Sequence, residues 1–354
     1  MKIGLKKKEK VAAGLVIGTR CVKLVCLEHG IDAYRLRFFG IEELHADAIL
    51  AGEVRDRDGV IRAVRSLIDR SGLPIKEVIV SLSGNEVLSE IVNIESVFEG
   101  KEDEIVRTEA ERVNPFDFDI GSVTLDYKTL EADPESDQLR VLRIAARNEV
   151  IYNKYMDILS GAQLRPAILD VDFCALMNVF SLNYDAQSFQ TTALLNIGVE
   201  STSIIFLGNG AFHLTRELPL GVEAFVKEIQ REQKVKVEEA ERVLREAIDT
   251  DLEQEALAGP IERVGEDLAK EIEIARSFFL SATSYESMDT MFLSGGGALI
   301  PGMTDLLGKL AGTSVKILNP LIAIKYDYGL FGDQPPEKIS PLLTLAIGLA
   351  LRRM

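Results

Sequence analysis

Cysteine is scarce in this sequence: Cys21, Cys26 and Cys174 are all there is. An odd number without paired spacing excludes a disulfide framework, and the gaps match no zinc site. Cys21 and Cys26 fall in an apolar, strand-like run, where they read as small hydrophobes of a protein kept in a reducing compartment. Histidine is as sparse. His29, His45 and His213 stand apart without metal-ligand spacing and read as surface or satisfied core residues. No Ser–His–Asp or Cys–His arrangement can be argued. Positive charge is short too: 40 Lys and Arg face 56 Asp and Glu, a net charge of −16. That balance excludes the basic footprint of a nucleic-acid binder. The one basic cluster, Lys6-Lys7-Lys8, reads as a solvated terminus, with contact to anionic lipid or a partner as the alternative. Long apolar runs are missing as well. The longest candidate, Leu342–Leu351, is about half the roughly 20 residues that a membrane-spanning helix needs. The basic start runs into Val11–Val16 with no small-residue cleavage site, so no secretory signal is read. The expectation is a cytoplasmic protein that reaches a membrane only through a partner.

What is present is enough for a large core. At 354 residues and 47% hydrophobic composition, the chain suits a two-lobed body or two to three domains that need no covalent staples. Its strongest feature is internal. Ala12–Ile17, Cys21–Leu27 and Ala33–Phe39 read as three short strands separated by Gly18-Thr19-Arg20 and Glu28-His29-Gly30. Thr192–Ile197, Ser201–Leu207 and Ala211–Glu217 read the same way, separated by Gly198-Val199-Glu200 and Gly208-Asn209-Gly210. β-Branched and aliphatic runs bounded by glycine are hairpin signals. The two blocks align at one constant offset without gaps: Ile17 on Ile197, Gly18 on Gly198, Leu27 on Leu207, Gly30 on Gly210. The chain therefore reads as two copies of one unit. Each meander leads into helix-connected strands, Gly59–Ser71 then Glu77–Ser83, and Val222–Gln233 then Met291–Leu293, which predicts an α/β fold.

Each copy carries an insertion. In the first, 86–161 reads as a strand (Glu86–Glu95), a helix (Lys101–Val113) stopped by Pro115, two strands (Ser122–Leu130, Leu139–Arg147) and a helix (Glu149–Ser160). In the second, 237–287 reads as helical, with Val237–Arg245 followed by Glu253–Phe279, interrupted near Gly259-Pro260. A last helix is expected at Leu342–Arg353.

Three elements suggest chemistry. The turns after Ile17 and Ile197 expose successive backbone N–H groups, which cradle phosphate oxygens in other proteins. Lys23 adds a point charge beside the first. Ser294-Gly295-Gly296-Gly297, between a strand and a helix, permits close backbone approach to a flat ligand. Two facing turns from two copies would grip one nucleotide between them. The candidate ligands are Gly18, Thr19, Arg20, Lys23, Gly198, Glu200, Ser201, Thr202, Gly295, Gly296 and Gly297. The charged run Lys234–Glu246 reads as a solvated helix face, with a partner contact as the alternative.

These features resemble the actin, sugar kinase and heat-shock ATPase superfamily. The closer resemblance is to the PilM family of type IV pilus assembly, similar to FtsA. It is carried by Gly14-Leu15-Val16-Ile17-Gly18 with Val22-Lys23-Leu24, by Glu109-Ala110-Glu111-Arg112 with Asn114-Pro115-Phe116 and Leu125-Asp126-Tyr127, and by Ile168–Asp172. Leu293–Gly302, Leu318-Asn319-Pro320 and Ala346–Arg352 complete it. The resemblance implies a duplicated actin-like (ribonuclease H-like) fold with an FtsA-type 1C insertion. Subdomain 1A would be 11–85, completed by 166–190 and 338–354; 1C would be 86–165; 2A would be 191–220 with 288–335; 2B would be 221–287. It further implies ATP between the lobes. A groove near 1A and 1C would take the N-terminal cytoplasmic segment of PilN, bringing the protein to the inner-membrane platform and the pilus motor. Phe116 is a candidate for that groove, or else satellite core. The superfamily places an acidic residue before each Ile-Gly to anchor Mg²⁺; here those positions hold Val16 and Asn196, so weak or absent hydrolysis is expected, with Asn196 the remaining neutral ligand. Asp172 matches the family's acidic position for water or metal, with an N-cap of helix 173–182 as the bland alternative. An active ATPase, or the equivalent part of a type II secretion platform, is the competing reading. An FtsA-like polymer that binds membrane directly is a third, less favoured because nothing follows the last helix to serve as an anchor.

Overall fold

The computed structural model describes residues 10–31, 33–95, 104–105, 108, 120–130, 138–250 and 255–352. Most of the helix expected at Lys101–Val113, with Pro115 and Phe116, lies outside the described residues.

Both meanders form. The first is β1 (Lys10–Ile17), β2 (Cys21–His29) and β3 (Tyr34–Glu43). A small hairpin, β4 (Ile49–Leu50) and β5 (Glu53–Val54), precedes helix α1 (Arg57–Ser71). The Asp56 carboxylate accepts the Gly59 N–H at 2.8 Å and starts α1; Gly72, at φ 62°, ends it in the left-handed region. Strand β6 (Glu77–Leu82) enters the sheet beside β1. The insertion makes a separate sheet from β7 (Val87–Glu95), β8 (Val123–Thr129) and β9 (Gln138–Arg147), in the order β7-β9-β8. Helix α2, residues 148–161, follows β9 directly and contains a π-helical turn at Ile151–Met156. The chain then returns through β10 (Arg165–Val171) and α3 (Asp172–Asn183).

The second copy begins with β11 (Thr191–Ile197), β12 (Thr202–Gly208) and β13 (Ala211–Leu218). Helices α4 (Val222–Gln233), α5 (Val237–Thr250) and α6 (Glu255–Ser281) follow, then β14 (Thr290–Ser294), α7 (Met303–Ala311) and β15 (Ser314–Ile317). Strand β16 (Ile324–Lys325) pairs with β3 of the first sheet, and α8 (Pro336–Ala350) closes the fold.

The sheet orders display the duplication. The first sheet runs β10-β6-β1-β2-β3-β16 and the second β15-β14-β11-β12-β13. In each, the first meander strand is flanked by its antiparallel partner on one side and a parallel strand on the other. The turns close alike: Gly18 N–H donates to Cys21 O at 3.0 Å, and Gly198 N–H to Ser201 O at 2.9 Å.

Helix α3 lies between the sheets. Phe180 meets Phe292 of β14 at 5.3 Å between centroids, and Phe173 stacks on Phe212 of β13 at 5.5 Å. Helices α4 to α7 cover the other face of the second sheet. Helix α8 lies on the first sheet at backbone contact. A Cβ on Gly14 would run into the Ala346 carbonyl oxygen, and one on Gly348 into that of Ala175. Leu343, Ile347 and Leu349 of α8 are fully buried, each contributing about 1.5–3 kcal/mol.

Helix α5 runs to Thr250, five residues past its expected end at Arg245, and two further helices differ from their expected limits at prolines. Helix α6 continues through Pro260. The Ala256 carbonyl, which proline leaves without its usual donor, accepts from the Gln233 side chain at 3.1 Å instead. Helix α8 begins at Pro336 rather than Leu342 and runs through Pro341. Pro336 sits at the helix start, where its missing N–H costs nothing.

Candidate functional site

The turns between β1 and β2 and between β11 and β12 sit at the tops of the two central strands. Among the described residues, the N–H groups of Thr19, Arg20, Val199 and Glu200 have no acceptor. The second turn is fastened from behind: Val222 N–H donates to Gly198 O and Glu223 N–H to Val199 O, both at 2.9 Å. The first donors of α4 are thereby spent on the turn's carbonyls, and its outward N–H groups are left for a ligand.

The glycine run meets the same strand end. Gly295, at φ 81°, takes a conformation that side chains resist, and a Cβ there would strike the Ile197 carbonyl. A Cβ on Gly297 would strike the Ile197 side chain. Packing thus explains two of the three glycines. It does not explain Gly296, whose Cβ would lie 3.7 Å from Leu342 and 3.9 Å from Val222 in ordinary contact. Gly295 N–H donates to Pro341 O of α8 at 3.0 Å, and Ser294 Oγ to Leu195 O at 2.9 Å. Asn196, Ile197, Gly198 and Gly295–Gly297 therefore pack against one another at the end of β11.

Charge differs between the turns. Arg20 pairs across the cleft with Glu241 of α5 at 2.8 Å, and Arg245 of α5 pairs with Glu43 at the end of β3 at 2.9 Å. The Lys23 side chain has no hydrogen-bond or ion-pair partner among the described residues. In the second turn, a Glu200 oxygen accepts the Ala51 N–H at 3.2 Å, and Ser201 Oγ donates to Glu217 of β13. Thr202 is fully buried and its hydroxyl donates to Leu220 O at 2.6 Å, so this side chain serves the core.

Asp172 is the first residue of α3, not its cap. Val171 is the N-cap, and the Asp172 carboxylate accepts from Ser81 Oγ instead. Burial drives its pKa up from 3.8 to about 7; the Ser81 hydrogen bond opposes this, Glu86 and Glu217 add to it, and Lys154 opposes it. Glu86 accepts the Ser83 N–H at 2.9 Å, Lys154 Nζ at 2.6 Å and the Tyr155 hydroxyl at 2.7 Å. Glu217 also accepts from Ser203 Oγ at 2.7 Å; burial raises its pKa against the two serine hydrogen bonds. Ser81, Glu86, Ser203 and Glu217 were not singled out from sequence. The Ser83-x-x-Glu86 spacing, a capping-box signature, was the one available signal.

The metal anchors do not fit Mg²⁺. Val16 lies against the apolar group of Ala12, Ile79, Ala175 and Leu349. Asn196 Oδ1 is 3.4 Å from Ser294 Oγ. Among the described residues no cluster of three or more His, Cys, Asp or Glu is arranged to hold a metal. Asp170 has different neighbours from Asp172, with Arg352 Nε 3.3 Å from its Oδ2; the strand ends at Val171, so its alternation does not extend to Asp172. Phe116 lies outside the described residues. A separate cavity of 380 Å³, lined by Tyr34, Asn178, Ser181, Leu182, Leu351 and Arg352, shares no residue with the turns.

The model of the family described as type IV pilus assembly protein PilM matches residues 14–354. The chain belongs to this family. A solved PilM-PilN type IV pilus biogenesis complex contains a chain that matches it with a TM-score of 0.83 and 26% identity, covering 96% of this chain and 97% of that one. Cell division protein FtsA of Bacillus subtilis (strain 168) is 24% identical, covering 86% of this chain and 78% of that protein. Ethanolamine utilization protein EutJ from Carboxydothermus hydrogenoformans matches in fold, with a TM-score of 0.59 at 16% identity over 97% of this chain and 89% of that one. The fold of this PilM-family chain is the two-lobed actin-like one, as its residues led us to expect. No helix among its described residues is long and apolar enough to cross a membrane.

Proposed function

We propose that this PilM-family chain is a cytoplasmic, actin-like scaffold of the pilus inner-membrane platform. It docks the N-terminal cytoplasmic segment of PilN and through it sits at the membrane beside the platform and motor proteins. The observation that carries this reading is the likeness, over 96% of the chain at a TM-score of 0.83, to the PilM-PilN complex. In this reading 11–85, with 166–190 and 338–354, is subdomain 1A; 86–165 is 1C; 191–220 with 288–335 is 2A; 221–287 is 2B. The groove beside 1A and 1C takes the peptide.

ATP would lie between the lobes. The unspent N–H groups of Thr19, Arg20, Val199 and Glu200, the free charge of Lys23 and a glycine at 296 that packing does not require support this. The nucleotide would serve as a structural or regulatory ligand. Val16 and Asn196 supply no anionic anchor for a metal, and phosphoryl transfer depends on charge neutralisation. Slow or absent phosphate release follows.

Calorimetric titration of the full chain tests both parts. A synthetic peptide of the PilN N-terminus should bind saturably, and ADP or ATP should bind with little dependence on Mg²⁺. Silence with the peptide at millimolar concentration refutes the docking role. Phosphate release well above background, lost in Asp172→Ala, would favour the active ATPase instead.

A further inference from the structure

We infer that Glu217 couples the second turn to helix α2, so that an anion held at that turn is felt in the insertion. The inference rests on the reading of the turns as a nucleotide site and adds how occupancy there would regulate the docking face.

The carboxylate of Glu217 belongs to one lobe and leans on the other. In its own lobe it accepts from Ser201 Oγ, within the turn, and from Ser203 Oγ at 2.7 Å. Across the interface it rests on Gly84, where a Cβ would fall on Glu217 Oε2. Gly84 opens the short turn Gly84–Glu86. Glu86 in turn holds Lys154 Nζ at 2.6 Å and the Tyr155 hydroxyl at 2.7 Å. Lys154 and Tyr155 lie in the π-helical turn of α2, immediately after strand β9 of the insertion sheet. Each link is a hydrogen bond or a van der Waals contact, and the Lys154 and Glu86 side chains are 8% and 7% exposed.

Transmission along this chain of contacts requires a member with two arrangements. A phosphate oxygen at the turn competes with Glu217 for the Ser201 hydroxyl. A half-buried carboxylate that loses a donor must move or find another. Movement of Glu217 is resisted on the far side by backbone alone, since Gly84 has no side chain to swing away. The contact therefore shifts Gly84–Glu86 as a unit. Glu86 is tied to a π-turn, a rare irregularity within an α-helix that is frequent at functional sites. That turn is the bistable element the coupling requires.

Hydrogen exchange of the full chain, with and without ADP as the probe, tests this. ADP should slow exchange at residues 17–21 and 197–202, and should separately change exchange across 148–161 by about fivefold or more, the lower end for coupled sites. Glu217→Gln should keep the response of the turns and lose that of 148–161. Glu86→Gln, which leaves both turns intact and loosens the hold on Lys154 and Tyr155, should do the same and decides the matter if Glu217→Gln does not fold. Turns that respond while 148–161 does not, in the wild type, overturn the coupling and leave the nucleotide site standing. A response at 148–161 that persists in both variants overturns the role of Glu217. No response at the turns at millimolar ADP overturns the nucleotide reading and the coupling together.

Discussion

Replacing Asp172 with asparagine removes a charge that the folded protein disfavours while keeping an oxygen for the Ser81 hydroxyl. The carboxyl stands at the top of β10, facing Ser81, Glu86, Glu217, Lys154 and Tyr155. Its pKa rises from 3.8 to about 7 on folding, mainly through burial. Between those values the native state binds a proton that the unfolded chain has released. Stability therefore falls as pH rises from about 4 to about 7, and the whole cost is present above that window. Full conversion of the shift gives about 4 kcal/mol. Asp172 keeps part of its surface in contact with water, and we halve the figure to about 2 kcal/mol for that screening. Asp172→Asn should accordingly stabilise the chain by about 2 kcal/mol at pH 8 and by a few tenths at pH 4.5. Urea midpoints of both proteins across that range measure the difference, and titrating groups that do not face this carboxyl cancel in the comparison. A difference that stays flat with pH, or that grows toward acid, refutes the assignment of a raised pKa to this group.

The glycine run gives a paired test. Gly296→Ala should leave the urea midpoint unchanged and weaken ADP binding, whereas Gly297→Ala, which drives a methyl into Ile197, should cost about 1–3 kcal/mol; equal stability loss in both refutes the reading of Gly296 as ligand-facing. Gly14→Ala places a methyl on the Ala346 carbonyl and should destabilise by at least about 2 kcal/mol, seen as a lower thermal midpoint. The Arg20–Glu241 pair is partly exposed, its side chains 29% and 36% accessible, and is worth about 0.2–1 kcal/mol. Glu241→Ala should hardly move stability but free Arg20 and tighten ADP up to about fivefold; weaker calorimetric binding would count against Arg20 as a phosphate ligand.

The duplicated frame was legible because it rests on local signals. Gly18 and Gly198 close their hairpins through the same backbone bond, and such turns announce themselves in sequence. Helix limits failed where a distant partner rescued the backbone: nothing near Pro260 says that Gln233 will satisfy Ala256. The short strands β15 and β16 escaped notice because four and two residues carry no periodicity. Of the carboxylate group at the interface only Asp172 was legible, through the family resemblance; its neighbours were invisible for a different reason. Ser81, Glu86, Asp172 and Glu217 come from two strand ends, a helix start and a turn spread over both lobes, and no spacing rule relates them.

Comparison of the two copies shows where they have parted. The backbone of the turns is shared, yet Arg20 matches Glu200, Cys21 matches Ser201, Lys23 matches Ser203 and Val16 matches Asn196. One turn offers cations and the other hydroxyls with a carboxylate behind them. A polyphosphate between the lobes would be neutralised from the first side and only oriented from the second. Grip of this kind needs no metal to balance charge on the lysine side, and provides no pair of carboxylates to hold one. Binding and hydrolysis make separate demands on an actin-like cleft, and in the function proposed above Val16 and Asn196 would weaken the second while leaving the first its donors.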